Sequence, residues 1–319
     1  MNIKSFLKLV EIQTKVASMI PLLLGTVYAI YRFKSFNTVN FIFMFFSLLC
    51  FDMATTAVNN YMDYKKAQRT SGYGYETHNA IVRYNLKVPA VLTVIFLLVT
   101  SAAVFGILLF LNTGIIVLLL GALSFAVGIM YSFGPIPISR MPLGEIFSGF
   151  FMGFIIVFIS VYIHVYDKGI LTIAYAQGSL TVNMSIFEII YIFLVSVTAV
   201  SGIANIMLAN NICDIEDDLE NKRYTLPVFI GREKALTVFK GLYYIGFVVT
   251  AALLILGIEP VSSGLVLLTL IPVRKNIKAF YRVQTKKDTF ILSVKNFVLV
   301  NLILVLSIAG TLLIEVLYI

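Results

Sequence analysis

This chain carries little charge. Of its 319 residues only 13% are Asp, Glu, Lys or Arg, about half the share of an ordinary soluble domain. Apolar types make up 60% and the mean hydropathy is +0.96, which excludes a water-soluble globular enzyme. Cysteine is nearly absent. Cys50 and Cys213 both fall in or beside apolar stretches, so they read as packing residues and not as a disulfide framework. The two histidines, His78 in a polar loop and His164 at the end of an apolar stretch, have no metal-ligand companions in the sequence. The first 30 residues lack a signal-peptide layout, because Lys4, Lys8, Glu11 and Lys15 are dispersed and no small-residue cleavage site follows a short apolar core. No low-complexity tract and no separate soluble domain interrupt the chain. The 24 basic residues exceed the 16 acidic ones, giving +8 and a pI near 9.3. In so apolar a chain this excess reports membrane topology, and a nucleic-acid partner is not expected.

What is present is a series of long apolar runs. A bilayer core of about 30 Å takes roughly 20 residues of helix. That ruler predicts nine spans, near 16–31, 39–58, 88–111, 114–132, 143–164, 186–209, 236–257, 261–273 and 296–318. The expected fold is therefore all-α, a polytopic membrane bundle forming one domain over residues 1–319. With the N-terminus inside, twenty Lys and Arg fall on cytoplasmic segments, while Arg32, Lys34 and Lys168 lie outside and Lys240 begins a helix. This asymmetry orients the chain N-in and C-out. It leaves two polar cytoplasmic loops, 64–87 and 219–235.

Each of those loops follows the same pattern. The second span runs into Asn59, Asn60 and Asp63, and the sixth into Asn210, Asn211 and Asp214, both reading Asn-Asn-x-x-Asp. Four spans separate the copies, which fits duplication of a four-helix unit followed by a last helix, with a site between the halves. Residues four apart share a helix face. Asn59 then stacks with Asp63, and Asn210, Asp214 and Asp218 form a second ladder. Carboxylate and amide oxygens of this kind suit Mg²⁺, which takes one or two carboxylates, waters and substrate phosphates. The basic residues that follow, Lys65, Lys66, Arg69, Arg83, Lys222 and Arg223, suit a phosphate group. Solvated helix ends and simple topology signals would explain any one of these residues, but not two spaced copies on the same side.

These motifs resemble the UbiA superfamily of intramembrane prenyltransferases. The stretch NNICDIEDDLENKRYTLPVFIGR is similar to the second acidic motif and the following basic loop of its 1,4-dihydroxy-2-naphthoate, or menaquinone, branch. DYKKA with the later NAIVR, and YSFGPIPISRMPLGE at 131–145, resemble two further segments of that branch. Asn60 stands where the superfamily usually has Asp, and Ala67 where it often has another acid, so Asp63 is the carboxylate left in the first motif. The resemblance implies Mg²⁺-dependent transfer of a polyprenyl group from its diphosphate to 1,4-dihydroxy-2-naphthoate, with loss of the acceptor carboxylate, in a bacterial cell membrane with lipid around it. It casts Asp63, Asp214 and Asp218 as catalytic, these three with Asn59 and Asn210 as metal-holding, and Asn60, Lys65, Arg69, Lys222 and Arg223 as substrate-binding.

Arg140 or Arg83 could hold the acceptor carboxylate, and Tyr131 could touch either substrate. Glu145 could be a ligand partner or the cap at the start of the fifth span, and the cap is the favoured role. Asp52 lies about two turns below Asn59, about 20° around the helix. It either contacts the acceptor or is a protonated side chain bonded to a neighbouring helix. Two rivals stay open. One keeps the chemistry with another acceptor, such as 4-hydroxybenzoate, homogentisate, haem or chlorophyllide. The other is a cation-coupled secondary transporter, against which the placement of the acids at a cytoplasmic mouth argues. The D-G-x-x-A-R signature of CDP-alcohol phosphotransferases is missing.

Overall fold

The computed structural model describes residues 1–66, 79–132, 137–176 and 178–317. Its principal helices are α1 (Val16–Phe33), α2 (Thr38–Lys66), α3 (Val88–Thr113), α4 (Ile115–Ser132) and α5 (Gly144–Val165). They continue with α6 (Ile186–Cys213), α7 (Arg232–Ile255), α8 (Leu270–Arg282) and α9 (Phe290–Leu317). A two-stranded antiparallel hairpin, β1 (Leu171–Ala176) and β2 (Ser179–Met184), joins α5 to α6 with Leu171 opposite Met184. The protein is an all-α membrane bundle.

Among the described residues, seven helices are long and apolar enough to cross a membrane, where nine spans were expected. The two that differ do so for identifiable reasons. Helix α4 is 18 residues, about 27 Å of rise, and follows α3 through the single residue Gly114 at φ +95°, a conformation that favours glycine. The eighth stretch is broken into a 3₁₀ turn Val261–Gly264, a short helix Leu265–Leu268 and α8. Arg274, Lys275, Lys278 and Arg282 punctuate α8 from its fifth residue on and cut short its apolar run.

Helix packing is tightest where glycine removes a side chain. A Cβ on Gly25 of α1 would lie 2.5 Å from the Val157 carbonyl oxygen of α5, and one on Gly153 would lie 2.5 Å from Val200 Cα of α6. Helix α5 thus seats on α1 and on α6, with a π-helical segment at Gly149–Ile155 where it meets α6. These contacts form a core that includes Leu24, Tyr28, Val157, Val161, Ala199 and Ile203. A second, smaller core of Leu9, Val10, Ala54, Ala57, Ile81 and Val91 holds the N-terminal helix Ile3–Leu9 and the short helix Ala80–Arg83 against α2.

Candidate functional site

The second acidic motif is the more enclosed of the two. Helix α6 stops at Cys213, and Asp214 turns out of the helix at φ −105°, ψ 11° before a short helix Ile215–Glu220 resumes. The straight ladder read from the sequence is therefore bent at Asp214. It stays joined by the Asp218 N–H donating to the Asp214 carbonyl at 2.7 Å. Asp214 and Asp218 are both buried, with exposures of 8% and 2%. Burial at these values demands counter-ions, and each acid has its own. Lys286 Nζ, from the α8–α9 loop, lies 2.5 Å from Asp214 Oδ2. Arg223 Nε lies 3.3 Å from Asp218 Oδ1.

The Asp218 pair is pinned further. Thr225 Oγ1 donates to Asp218 Oδ2 at 3.0 Å. The Arg223 backbone N–H donates to the Asp218 carbonyl at 2.8 Å. Desolvation pushes the Asp218 carboxyl above the ordinary carboxylate range, against the opposing pull of Arg223 and the Thr225 hydrogen bond. Arg223 also ties this loop to the segment before α5, its Nη2 donating to the Ser139 carbonyl at 3.2 Å. The Tyr224 N–H donates to the Arg140 carbonyl at 3.1 Å.

Deeper on the same side, Asn211 Nδ2 donates to Glu145 Oε1 at 2.9 Å, and Ser148 Oγ donates to the Tyr131 hydroxyl at 3.1 Å. Glu145 was read as a cap. It instead points inward, 3% exposed and bonded to α6, with Oε2 lacking a partner among the described residues. Asn210, on the sequence ladder, is half-buried and reaches the neighbouring Asn211 Oδ1 at 3.5 Å. Lys222 is exposed beyond the short helix, in a left-handed conformation at φ +53°.

The first motif is built differently. Asn59, Asp63 and Lys65 are exposed along α2, and Arg83 is exposed with its guanidinium 5.6 Å from the Tyr84 ring. Arg69, like Ala67 and His78, lies outside the described residues. Asn60 departs from the substrate-binding role given to it. It is 8% exposed, and its Nδ2 donates to the carbonyls of Leu9 at 3.1 Å and Thr56 at 3.3 Å. Its own carbonyl receives Asn79 Nδ2 at 2.8 Å. Asn60 thus fastens the N-terminal helix and the Asn79 turn to α2, and its amide faces backbone.

Asp52 is likewise committed. Lys15 Nζ lies 2.6 Å from its Oδ1, and Ser18 Oγ donates to its Oδ2. The lysine side chain is 4% exposed and also reaches Thr56 Oγ1 at 2.7 Å. Both carboxylate oxygens are occupied, by a buried ammonium that the sequence reading had assigned to topology and by a hydroxyl.

Between α2, α3, α4 and α5 lies an apolar cavity of about 490 Å³. Small residues open it, among them Ala102, Gly106, Gly121 and Ala122. A Cβ on Gly121 would meet nothing within 4 Å. Phe51 and Phe125 stack in its wall with centroids 3.9 Å apart. Ile129, which also lines it, is two residues before Tyr131 on α4. Among the described residues no three His, Cys, Asp or Glu side chains gather closely enough to hold a metal by themselves.

Residues 18–301, from the start of α1 to the middle of α9, match the profile of the UbiA prenyltransferase family. The chain belongs to that family. It is a prenyltransferase embedded in the membrane. The 1,4-dihydroxy-2-naphthoate octaprenyltransferase of Bacillus subtilis (strain 168) is 29% identical over 247 residues, covering 76% of this chain and 71% of the relative. A UbiA homologue from Archaeoglobus fulgidus, solved bound to GPP and Mg²⁺, superposes with a TM-score of 0.66 at 13% identity, covering 96% of this chain and 98% of that one. The apo UbiA homologue from Aeropyrum pernix K1 gives 0.63 at 17% identity, over 94% and 98%. At these identities the solved structures establish the fold.

Within this UbiA member, the structure brings Asp214, Asp218 and Arg223 together and sets Tyr131 and the Arg140 backbone beside them. Sequence reasoning missed Lys286 and Thr225, gave Asn211 no role of its own and favoured a cap for Glu145. For Asn211 and Glu145 a signal existed, since both sit inside the quoted motifs. Lys286 had only its membership of a basic run, because nothing in the sequence shows that the α8–α9 loop folds over the end of α6.

Proposed function

We propose that the protein transfers a polyprenyl group from polyprenyl diphosphate to 1,4-dihydroxy-2-naphthoate, using Mg²⁺, in a bacterial cell membrane. The observation that carries this reading is the pair of buried carboxylates Asp214 and Asp218, each matched to a cation. Buried carboxylates that draw in Lys286 and Arg223 make an acidic site suited to a cation. Two carboxylates completed by phosphate oxygens and water are what Mg²⁺ ordinarily takes. Asp214 and Asp218 would hold the ion, together with Asn59, Asp63 and Asn210 as further oxygen ligands. Bound there, Mg²⁺ supplies neutralisation of the departing diphosphate.

The chain's own residues do the rest. Arg223, Lys222, Lys65 and Arg69 hold phosphate oxygens, and the cavity beside Gly106 and Gly121 takes the apolar tail. The allylic C–O bond breaks with its electron pair leaving on diphosphate. A ring carbon of the acceptor forms the new C–C bond, and its carboxylate departs as CO₂. Exclusion of water by the bundle protects the cationic fragment. Tyr131, hydrogen-bonded by Ser148, and Arg140 or Arg83 orient the acceptor. The site opens to the cytoplasmic side with the N-terminus inside, on the distribution of basic residues. The two motifs mark two four-helix pseudo-repeats within one domain.

The test is incubation of the purified full chain with Mg²⁺, labelled geranylgeranyl diphosphate and a panel of acceptors, with products identified by mass spectrometry. Prenylated, decarboxylated naphthoquinol is the expected product. Prenylation of 4-hydroxybenzoate alone would transfer the reading to the other acceptor class, and cation-coupled uptake into vesicles without any prenyl product would replace it.

A further inference from the structure

Asp214 and Asp218 have cations of different character. Arg223 is built in, since its guanidinium donates to the Ser139 carbonyl and its backbone bonds to Asp218. Lys286 is not. Its side chain is 56% exposed while that of Asp214 is 11% exposed, so a surface lysine reaches inward to a fixed carboxylate. Its ammonium contacts no other acceptor among the described residues. The loop that carries it is set from outside the site. The Thr285 N–H donates to Thr289 Oγ1 at 2.9 Å, and Thr285 Oγ1 donates to Asp288 Oδ2 at 3.2 Å. The loop backbone therefore holds its shape whether or not the ammonium stays on Asp214.

We propose that Lys286 is a diphosphate-binding residue that rests on Asp214 until a divalent cation claims that carboxylate. The proposal rests on the reading of Asp214 as a metal-holding residue and adds a third loop, α8–α9, to those that grip the leaving group. The ammonium and the metal need the same oxygen, so each weakens the other at Asp214. Once released, the ammonium carries its charge to the same mouth, where a metal-held diphosphate is the anion within reach. Lys286 therefore couples negatively to the metal and positively to the diphosphate, a pair of opposite signs that an ordinary structural ion pair does not produce.

The experiment uses the purified full chain in detergent, wild type against Lys286→Met and Lys286→Arg. Mn²⁺ binding is followed by electron paramagnetic resonance, and geranyl diphosphate binding by equilibrium dialysis. Thermal melting confirms that the variants are folded. Lys286→Met should bind Mn²⁺ alone roughly fivefold more tightly, a scale set by loss of one partly exposed charge pair. It should bind geranyl diphosphate in the presence of Mn²⁺ more weakly by a similar factor, and Lys286→Arg should restore the diphosphate affinity. Mn²⁺ affinity that is unchanged or lower in Lys286→Met overturns the proposal, as does unchanged diphosphate affinity. Wild type that binds no Mn²⁺, or binds it equally well as Asp214→Asn, overturns the reading of the metal site and the proposal with it.

Discussion

At the scale of single residues, Asn60 shows how a motif position can change its task. Its amide gives two hydrogens to the carbonyls of Leu9 and Thr56. An aspartate there would have nothing to donate and would place a buried charge against two carbonyl oxygens. Asn60→Asp is therefore expected to lower stability by about 1–3 kcal/mol, the cost of leaving buried polar groups unpaired. A fall in melting temperature of the purified protein checks this, and a variant that melts with wild type while needing less Mg²⁺ would return Asn60 to the cleft. The sequence alone showed Asn60 as the departure from its family but not its direction, because only packing of the N-terminal helix decides which way the side chain turns. Asp52 was obscured for the same reason. Its partner Lys15 is a neighbour through the α1–α2 contact and is far away along the chain.

At the scale of elements, hydropathy made most of the helices legible, since a run of about 20 apolar residues has few other uses. It failed where charge and length disagree, at the broken eighth stretch and in the short α4. It could not foresee the bend at Asp214, which keeps an i to i+4 backbone bond and so preserves the periodicity. The cavity between α2 and α5 was also hidden, because it arises from small residues on separate helices facing one another. If this cavity holds the prenyl tail, Gly121→Phe should fill it. Use of geranylgeranyl diphosphate should then fall about tenfold relative to geranyl diphosphate, corresponding to roughly two methylene groups lost from apolar contact. The ratio of kcat/KM for the two donors measures this, and an unchanged ratio would place the tail elsewhere.

At the scale of the whole molecule, stability depends on a carboxyl remote from the acidic motifs. Glu259, in the turn after α7, is 3% exposed and its Oε2 has no partner among the described residues. Burial raises its pKa from 4.5 to about 8, so the folded protein favours the neutral acid. A raised folded-state pKa contributes stability that is complete below pH 4.5 and is lost as pH rises through about 8. Wild type is expected to melt at a lower temperature at pH 8 than at pH 5, and Glu259→Gln should remove most of that difference. Equal pH dependence in both proteins would show that Glu259 is solvated or paired when folded.

The central claim is that the buried pair Asp214 and Asp218 organises prenyl transfer. Its most direct test is turnover of geranylgeranyl diphosphate with 1,4-dihydroxy-2-naphthoate by wild type, Asp214→Asn and Asp218→Asn, measured as lipid-soluble product at saturating Mg²⁺. Each substitution keeps the side-chain shape and removes one charge, so the variants should remain folded while turnover falls roughly a hundredfold or more, the scale of losing a group that stabilises transition-state charge. Near-normal turnover in either folded variant would contradict the account.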